Sequence, residues 1–311
     1  MNTMIEKDVG TLRAAEMAVS EDDAYILLRD LHSDDSGGLF TRVIAGKDIA
    51  LGLSAATNSP MWNAALIRDV SQSRVDQAEN IFFDQNRLPS FYMIEGDRSE
   101  EIFRYLTGRG YSHTWTDVWM GLTDSQELQE IIKTEPADIH ITSANTDREI
   151  EAFLAVLMLR GYDMELGPED PYGEITEEEL AGYSKAVKDL VSTGRAKCTV
   201  VWNETSSDPE PVAAAMVAFL GTVAYISNLV TIPSERHRGY GRAALLGAIK
   251  AGYAETSRIA ALEESDPIVC LATEPGQKPH AIFRQIGFRD MFTARGYTFS
   301  ARNLFLSLKS Y

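Results

Sequence analysis

The chain has 311 residues, 44% hydrophobic and 24% charged, with a formal net charge of −17. This composition predicts a globular protein of one large or two medium domains. The negative field disfavours nucleic acid and anionic membrane as partners and attracts amines, although it also serves plain solubility.

Met1 to Met17 lacks the apolar core of a signal peptide, and no apolar run is long enough to span a bilayer. A cytoplasmic location is therefore expected. Glu21 to Leu31 reads as a helix, and Ser33 to Gly38 as a polar turn. Leu39 to Leu53 is apolar with a break at Gly46-Lys47-Asp48, which predicts a hairpin. Met61 to Val70 reads as a strand. Ser71 to Asn86 reads as a helix with Val75, Ala78, Ile81 and Phe82 on one face. Pro89 to Ile94 is a predicted strand, Ser99 to Thr107 a helix capped by Ser99, and Thr114 to Leu122 a strand entered through Gly110-Tyr111. Thr123 to Ala137 is charged and ends in Thr134-Glu135-Pro136, which predicts a short helix and a linker. A domain boundary is placed there, dividing 1–130 from 131–311.

In the second half, Ile139 to Ala144 alternates as a strand, and Asp147 to Arg160 reads as a helix burying Ile150, Phe153, Leu154 and Leu157. A Gly- and Pro-containing acidic loop, Gly161 to Tyr172, leads to a helix over Thr176 to Val191, opened by a capping box of Thr176 with Glu179. Ala196 to Asn203, Val212 to Leu220 and Val223 to Thr231 read as strands, and Tyr240 to Glu255 as a helix. Arg258 to Asp266 reads as an acidic connection. Pro267 to Thr273 is a strand, His280 to Gln285 a short helix, and Phe292 to Phe299 and Asn303 to Leu308 the last strands. Both halves end in strand, long helix, strand, short helix, Gly-aromatic and strand, with Ser99 to Tyr111 as a counterpart of His280 to Phe288, which suggests an internal repeat at domain scale. Cys198 and Cys270 lie in apolar runs, which predicts buried thiols in a reducing compartment, with no disulfide framework and no metal spacing.

The stretch between the strand ending at Thr231 and the helix opening at Tyr240 carries the chemistry. Pro233 ends the strand. Arg236, His237, Arg238 and Arg242 crowd one turn, with Gly239 and Gly241 between them. No Ser, Thr, Asp or Asn lies between Glu235 and Leu245 to cap the helix. Bare amides, a helix dipole and positive side chains in one place make a phosphate site. An ordinary strand-turn-helix with solvated arginines uses the same residue types. A basic turn in a strongly acidic chain, and the order of the parts, favour the functional reading. A P-loop needs Gly-Lys-Ser/Thr, and Gly241 is followed by Arg242 and Ala243. A dinucleotide fingerprint needs a third glycine where Ala244 stands, which weakens that reading without excluding it, alanine being sometimes allowed.

Apolar strand, proline and Arg236-x-x-Gly239-x-Gly241 opening a helix resemble the acetyl-CoA motif of the GCN5-related N-acetyltransferases. The resemblance covers about Ile139 to Phe299 closely and Leu39 to Leu122 in architecture only. In the first half Asp69 to Arg74 has no glycine, so that half reads as a degenerate copy without a cofactor turn. The implied fold class is α/β with a mixed sheet: tandem domains, each a mostly antiparallel, splayed mixed sheet flanked by helices. The resemblance implies that Leu229, Val230 and Ile232 line the pantetheine arm and that the backbone around Val230 meets the thioester oxygen. Arg236, His237, Arg238, Gly239, Tyr240, Gly241 and Arg242 are then the pyrophosphate cradle.

His280 to Phe288 resembles the later family motif Tyr-x-x-x-Gly-Phe, whose tyrosine serves many members as general acid. Here the position is Phe283, a cofactor-side residue by the resemblance but one with no proton to give. Tyr297 is the candidate stand-in acid, although a strand tyrosine packed with its hydroxyl at the surface is its plainer reading. His280 is a CoA contact or a helix-start residue. No Asp or Glu lies on Ala224 to Ile232, so Glu274, at the end of a strand, is the candidate base, although a loop-end carboxylate before Pro275-Gly276 is its plainer reading. The function implied is an acyl-CoA-dependent N-acetyltransferase with acetyl-CoA as cosubstrate and no metal. It would act by direct attack of a small-molecule or peptide primary amine, in a monomer or homodimer. The alternative is a catalytically silent CoA-binding regulatory module, and a nucleotide-binding oxidoreductase is disfavoured by the glycine spacing.

Overall fold

The computed structural model describes residues 42–45, 49–54, 60, 63–67, 71–95, 99–122, 125–133, 139–144, 146–157, 177–204, 209–263 and 266–299. The readings at 21–31, 33–38, 161–172 and 303–308, and the cap at Thr176, lie outside them. The strands are β1 (Arg42–Ala45), β2 (Ile49–Leu53), β3 (Ala65–Ile67), β4 (Ser90–Ile94), β5 (Tyr111–Leu122), β6 (His140–Ser143), β7 (Ala196–Asn203), β8 (Glu210–Leu220), β9 (Val223–Thr231), β10 (Ile268–Thr273) and β11 (Arg289–Phe299). The helices are α1 (Gln72–Asp84), α2 (Ser99–Gly108), α3 (Ser125–Lys133), α4 (Asp147–Val156), α5 (Glu177–Ser192), α6 (Tyr240–Glu263) and α7 (Lys278–Ile286).

Local chemistry accounts for most of these elements. Thr146 caps α4 in a reciprocal box with Glu149, and the inward stripe Ile150, Phe153 and Leu154 is buried. Val75, Ala78 and Phe82 bury one face of α1. Glu79 is buried there too, and its charge is met by Arg109 and by the Tyr111 hydroxyl at 2.8 Å. Helix α6 runs past the acidic connection expected at 258–266 and ends at Glu263. Buried Thr256 and Ala260 extend its inward face, while Arg258 pairs with Glu255 outside, so Arg258 and Glu263 stand on the solvated face of a helix.

The eleven strands among the described residues form one sheet in the order β1-β2-β3-β4-β11-β5-β10-β9-β8-β7-β6. The repeat seen in the sequence is β4–α2–β5 against β10–α7–β11, with a positive-φ glycine (Gly110, Gly287) before each aromatic residue. The last strands of the two units are exchanged. β11 lies between β4 and β5 and is antiparallel to both, and β5 pairs antiparallel with β10. On one face, Leu245, Leu246 and Ile249 of α6, Phe283 of α7 and Phe288 just after it pack onto Val118, Met120, Ala215, Val217, Ile226 and Leu271. The other face of β7 and β8 is covered by α4 and α5. Helices α1 and α2 build a third cluster on β4, β5 and β11.

Because β4 and β5 each need β11, residues 1–130 expressed alone lack the strand that joins them. That fragment is expected to give poorly dispersed amide NMR signals and to aggregate through its open edges. A well-dispersed, monomeric fragment would show that the exchange is not needed for folding.

Candidate functional site

Strand β9 is antiparallel to β8 through to the pair Ala213–Thr231. With β10 it is parallel and paired only from Val223–Ile268 to Ile226–Leu271. Beyond Ile226 the two strands part, and among the described residues the edge of β9 from Ser227 to Thr231 has no strand beside it. A bulge marks the point of departure: the β8–β9 register shifts between Ala214 and Met216, and Asn228 lies in the left-handed region at φ 52°. The Asn228 side-chain amide donates to the Tyr183 hydroxyl on α5 at 2.5 Å, which ties the bulge to the helix above it. Neither residue was singled out from the sequence. The signal was there in Ser227-Asn228, two polar residues interrupting an apolar strand.

The turn follows directly. Pro233–Glu235 is one 3₁₀ turn, and His237 (φ 67°) and Gly239 (φ 87°) reverse the chain into α6. The first backbone bond of α6 runs from Ala243 N to Gly239 O at 3.0 Å, so the amides of Tyr240, Gly241 and Arg242 open the helix with no partner among the described residues. Gly241 lies against the end of β9: a Cβ there would fall 2.8 Å from Thr231 Oγ1. Arg236, His237, Arg238 and Arg242 are exposed around these amides, with Arg238 held to Glu235 at 3.0 Å, and Tyr240 is half-buried. Leu229 packs toward the α6 cluster, whereas Val230 and Ile232 pack toward the α4–α5 cluster, so the three flank the open edge from both faces.

The remaining residues divide. Glu274 is exposed and directly follows β10 at the mouth of the splay. Phe283 is buried, its ring centroid 6.0 Å from that of Phe288, in the cluster that α6 shares. Tyr297 is not brought to the mouth. The strand exchange carries it into the α1–α2 cluster, stacked 5.1 Å from Phe103, where burial raises its hydroxyl pKa. His280 accepts from Gly276 N at Nδ1 (3.1 Å), so Nε2 carries the proton and donates to Asp290 (3.0 Å). It braces the start of α7. The hydrogen bond from Arg284, more than His280, holds the Asp290 carboxyl below its usual range. Cys198 and Cys270 are buried, and burial pushes both thiols up to about 12.

Asp117, on β5, also went unnoticed in the sequence. Tyr92 donates to it at 2.9 Å and itself accepts from Trp119 Nε1 at 2.8 Å. Burial raises the Asp117 carboxyl, and the charge of Glu274 adds to the rise, which places the two carboxylates within electrostatic reach of each other.

No family model matches the chain, and no curated protein matches it in sequence. Its likeness is to solved structures. A GCN5-related N-acetyltransferase from Kribbella flavida is 16% identical over 89% of this chain and 96% of that one, with a TM-score of 0.56. A tandem GNAT protein from the clavulanic acid biosynthesis pathway is 12% identical over 80% of this chain and 77% of that one, with a TM-score of 0.51. A GCN5-related N-acetyltransferase from Sphaerobacter thermophilus is 12% identical over 94% and 91%, with a TM-score of 0.50. With its large mixed sheet flanked by helices, this chain has the fold of the GCN5-related N-acetyltransferases.

Proposed function

We propose that the chain is an acyl-CoA-dependent N-acyltransferase that takes acetyl-CoA as cosubstrate and a primary amine as acceptor. One observation carries this reading: β9 leaves β10 at Ile226 and ends in a basic turn whose helix-opening amides have no partner among the described residues. Such an edge suits the amide groups of a pantetheine arm, and such a turn suits a pyrophosphate. Arg236, Arg238 and Arg242 add charge to the cradle, His237 and Gly239 shape it, and Tyr240 stands at its inner side. Leu229, Val230 and Ile232 flank the arm. Bound acetyl-CoA would supply an activated acyl carbon, and the amine would reach it from the mouth near Glu274. The turn lies within 131–311, and the first half has no counterpart to it in sequence.

Direct attack in a ternary complex is supported by the state of the thiols, since neither cysteine is ionised or accessible at neutral pH. The silent CoA-binding module is the second reading, favoured by the absence of a hydroxyl at Phe283. Release of free CoA thiol in an acceptor screen separates the two.

Three outcomes are expected. Gly241→Val should remove CoA binding in calorimetry while circular dichroism keeps the native signal, because its side chain crowds both the amides and Thr231. Unchanged affinity would leave the turn with a structural role only. Phe283→Tyr should lose about 1–3 kcal/mol in thermal or urea melts without a gain in turnover, its hydroxyl being buried unpaired. A stable variant with raised turnover would show that the ring reaches the leaving sulfur. Native protein at pH 8 should resist iodoacetamide at both cysteines until it is unfolded. Labelling of Cys270 that is blocked by prior acetyl-CoA would instead point to an acyl-enzyme.

A further inference from the structure

The sheet face turned away from α6 carries an aromatic cluster that the cofactor reading does not use. Residues alternate along β5: Val118, Met120 and Leu122 pack toward α6, whereas Trp119 belongs to a cluster with Val223, Cys270 and Ala294 on the other face. Three rows cross the strands there. Tyr92, Gly296 and Trp115 are paired across β4, β11 and β5, then Ile94, Ala294 and Asp117, then Phe292, Trp119 and Ala272 across β11, β5 and β10. Gly296, Ala294 and Ala272 make a low floor. The Trp115 ring lies directly on Gly296, where a Cβ would clash with it. Above the floor, Tyr92 stacks with Trp115 at 6.2 Å, and Trp119 stacks with Tyr225 at 5.0 Å and with Phe292 at 5.6 Å. Tyr92, Trp115, Tyr225 and Phe292 are each half-buried, so ring surface remains open.

Asp117 lies in the middle row among these rings. Tyr92 and Trp115 hydrogen-bond to it, both as neutral donors. Val118 pairs with Thr273, the last residue of β10, so Asp117 is level with Glu274 at the mouth of the splay. Among the described residues no Lys, Arg or His forms an ion pair with either carboxylate. A carboxylate held among rings without a counter-charge is costly, and a cation brought to it is correspondingly favoured. Aromatic faces attract the same cation and cover an apolar tail.

We propose that Asp117 and the rings of Tyr92, Trp115 and Phe292 form the acceptor subsite, taking a primary monoammonium group with a flat apolar tail, with buried Trp119 as their support. The ammonium sits on Asp117 and the tail lies over the rings. The proposal rests on the acyltransferase reading above and narrows its acceptor: Asp117 takes the ammonium, Glu274 lies toward the mouth, and the rings on the other side of Asp117 cover an apolar tail and not a further charge. It also gives the first half a task, since Tyr92, Trp115 and Asp117 all come from residues 1–130.

The test uses the full chain with 2-phenylethylamine and spermidine as probes. Binding is read by tryptophan fluorescence without CoA, and turnover by thiol release with acetyl-CoA. Wild type is expected to bind and acetylate phenylethylamine in preference to spermidine. Asp117→Asn keeps the shape and an acceptor for Tyr92, and it should raise the Kd and KM for phenylethylamine about tenfold or more while CoA affinity in calorimetry stays within about twofold. Gly296→Ala displaces the Trp115 ring and should weaken phenylethylamine about fivefold, again sparing CoA. Asp117→Asn with phenylethylamine affinity within about twofold of wild type would overturn the subsite, as would tighter binding of spermidine. If wild type binds phenylethylamine through Asp117 but binds no CoA, the subsite stands and the acyltransferase reading falls.

Discussion

Strand β9 is hydrogen-bonded to its end on one side and over four residue pairs on the other. This asymmetry is the constraint on which the site depends. A strand edge with idle amides and carbonyls is unfavourable inside a sheet unless something else meets them. The bulge at Asn228 makes the asymmetry stable, because it turns β9 away from β10 without loosening it from β8. The side-chain bond from Asn228 to Tyr183 then fixes the bulge against α5. Helix α6 begins where β9 ends, so the open edge and the bare helix start are two parts of one surface.

The second organising feature is the exchange of β5 and β11. It makes β10, the strand from which β9 departs, a neighbour of β5 from the first half. The mouth of the splay is thus walled on one side by the turn of the second half and on the other by the aromatic row of the first. A first half whose sequence carries no glycine-rich basic turn can keep a role in such an arrangement, because what it contributes is a strand and its side chains.

Much of this was legible from local sequence. Apolar β9, Pro233 and Arg236-x-x-Gly239-x-Gly241 are neighbours in the chain, and each follows from a short-range rule of strand termination, backbone freedom or helix capping. The exchange was not legible, because the β11 side chains give the same alternation whichever strands flank them. The surroundings of Tyr297 follow from that one non-local fact, and the α1–α2 cluster receives it because β11 crosses into the first half. Asp117 escaped notice for a related reason. In isolation it is one polar residue on a half-exposed aromatic strand, and only the arrival of β10 and β11 beside β5 encloses it. The length of α6 was not legible, because Glu263, Glu264 and Asp266 read as a loop, whereas Thr256 and Ala260 ahead of them continue the buried face of the helix.

The exchange also sets a timetable for synthesis. β5 is complete at Leu122, but the strand that must lie between it and β4 begins at Arg289. At about 5–20 residues per second the ribosome reaches that strand roughly 8–33 seconds later. Until then β4 and β5 have no β11 to join them, and their idle edges are open to any other extended segment, including the same strands on a neighbouring nascent chain. The order of translation therefore makes the first half the last to close, and it gives chaperones that shield strand edges a defined interval in which to act.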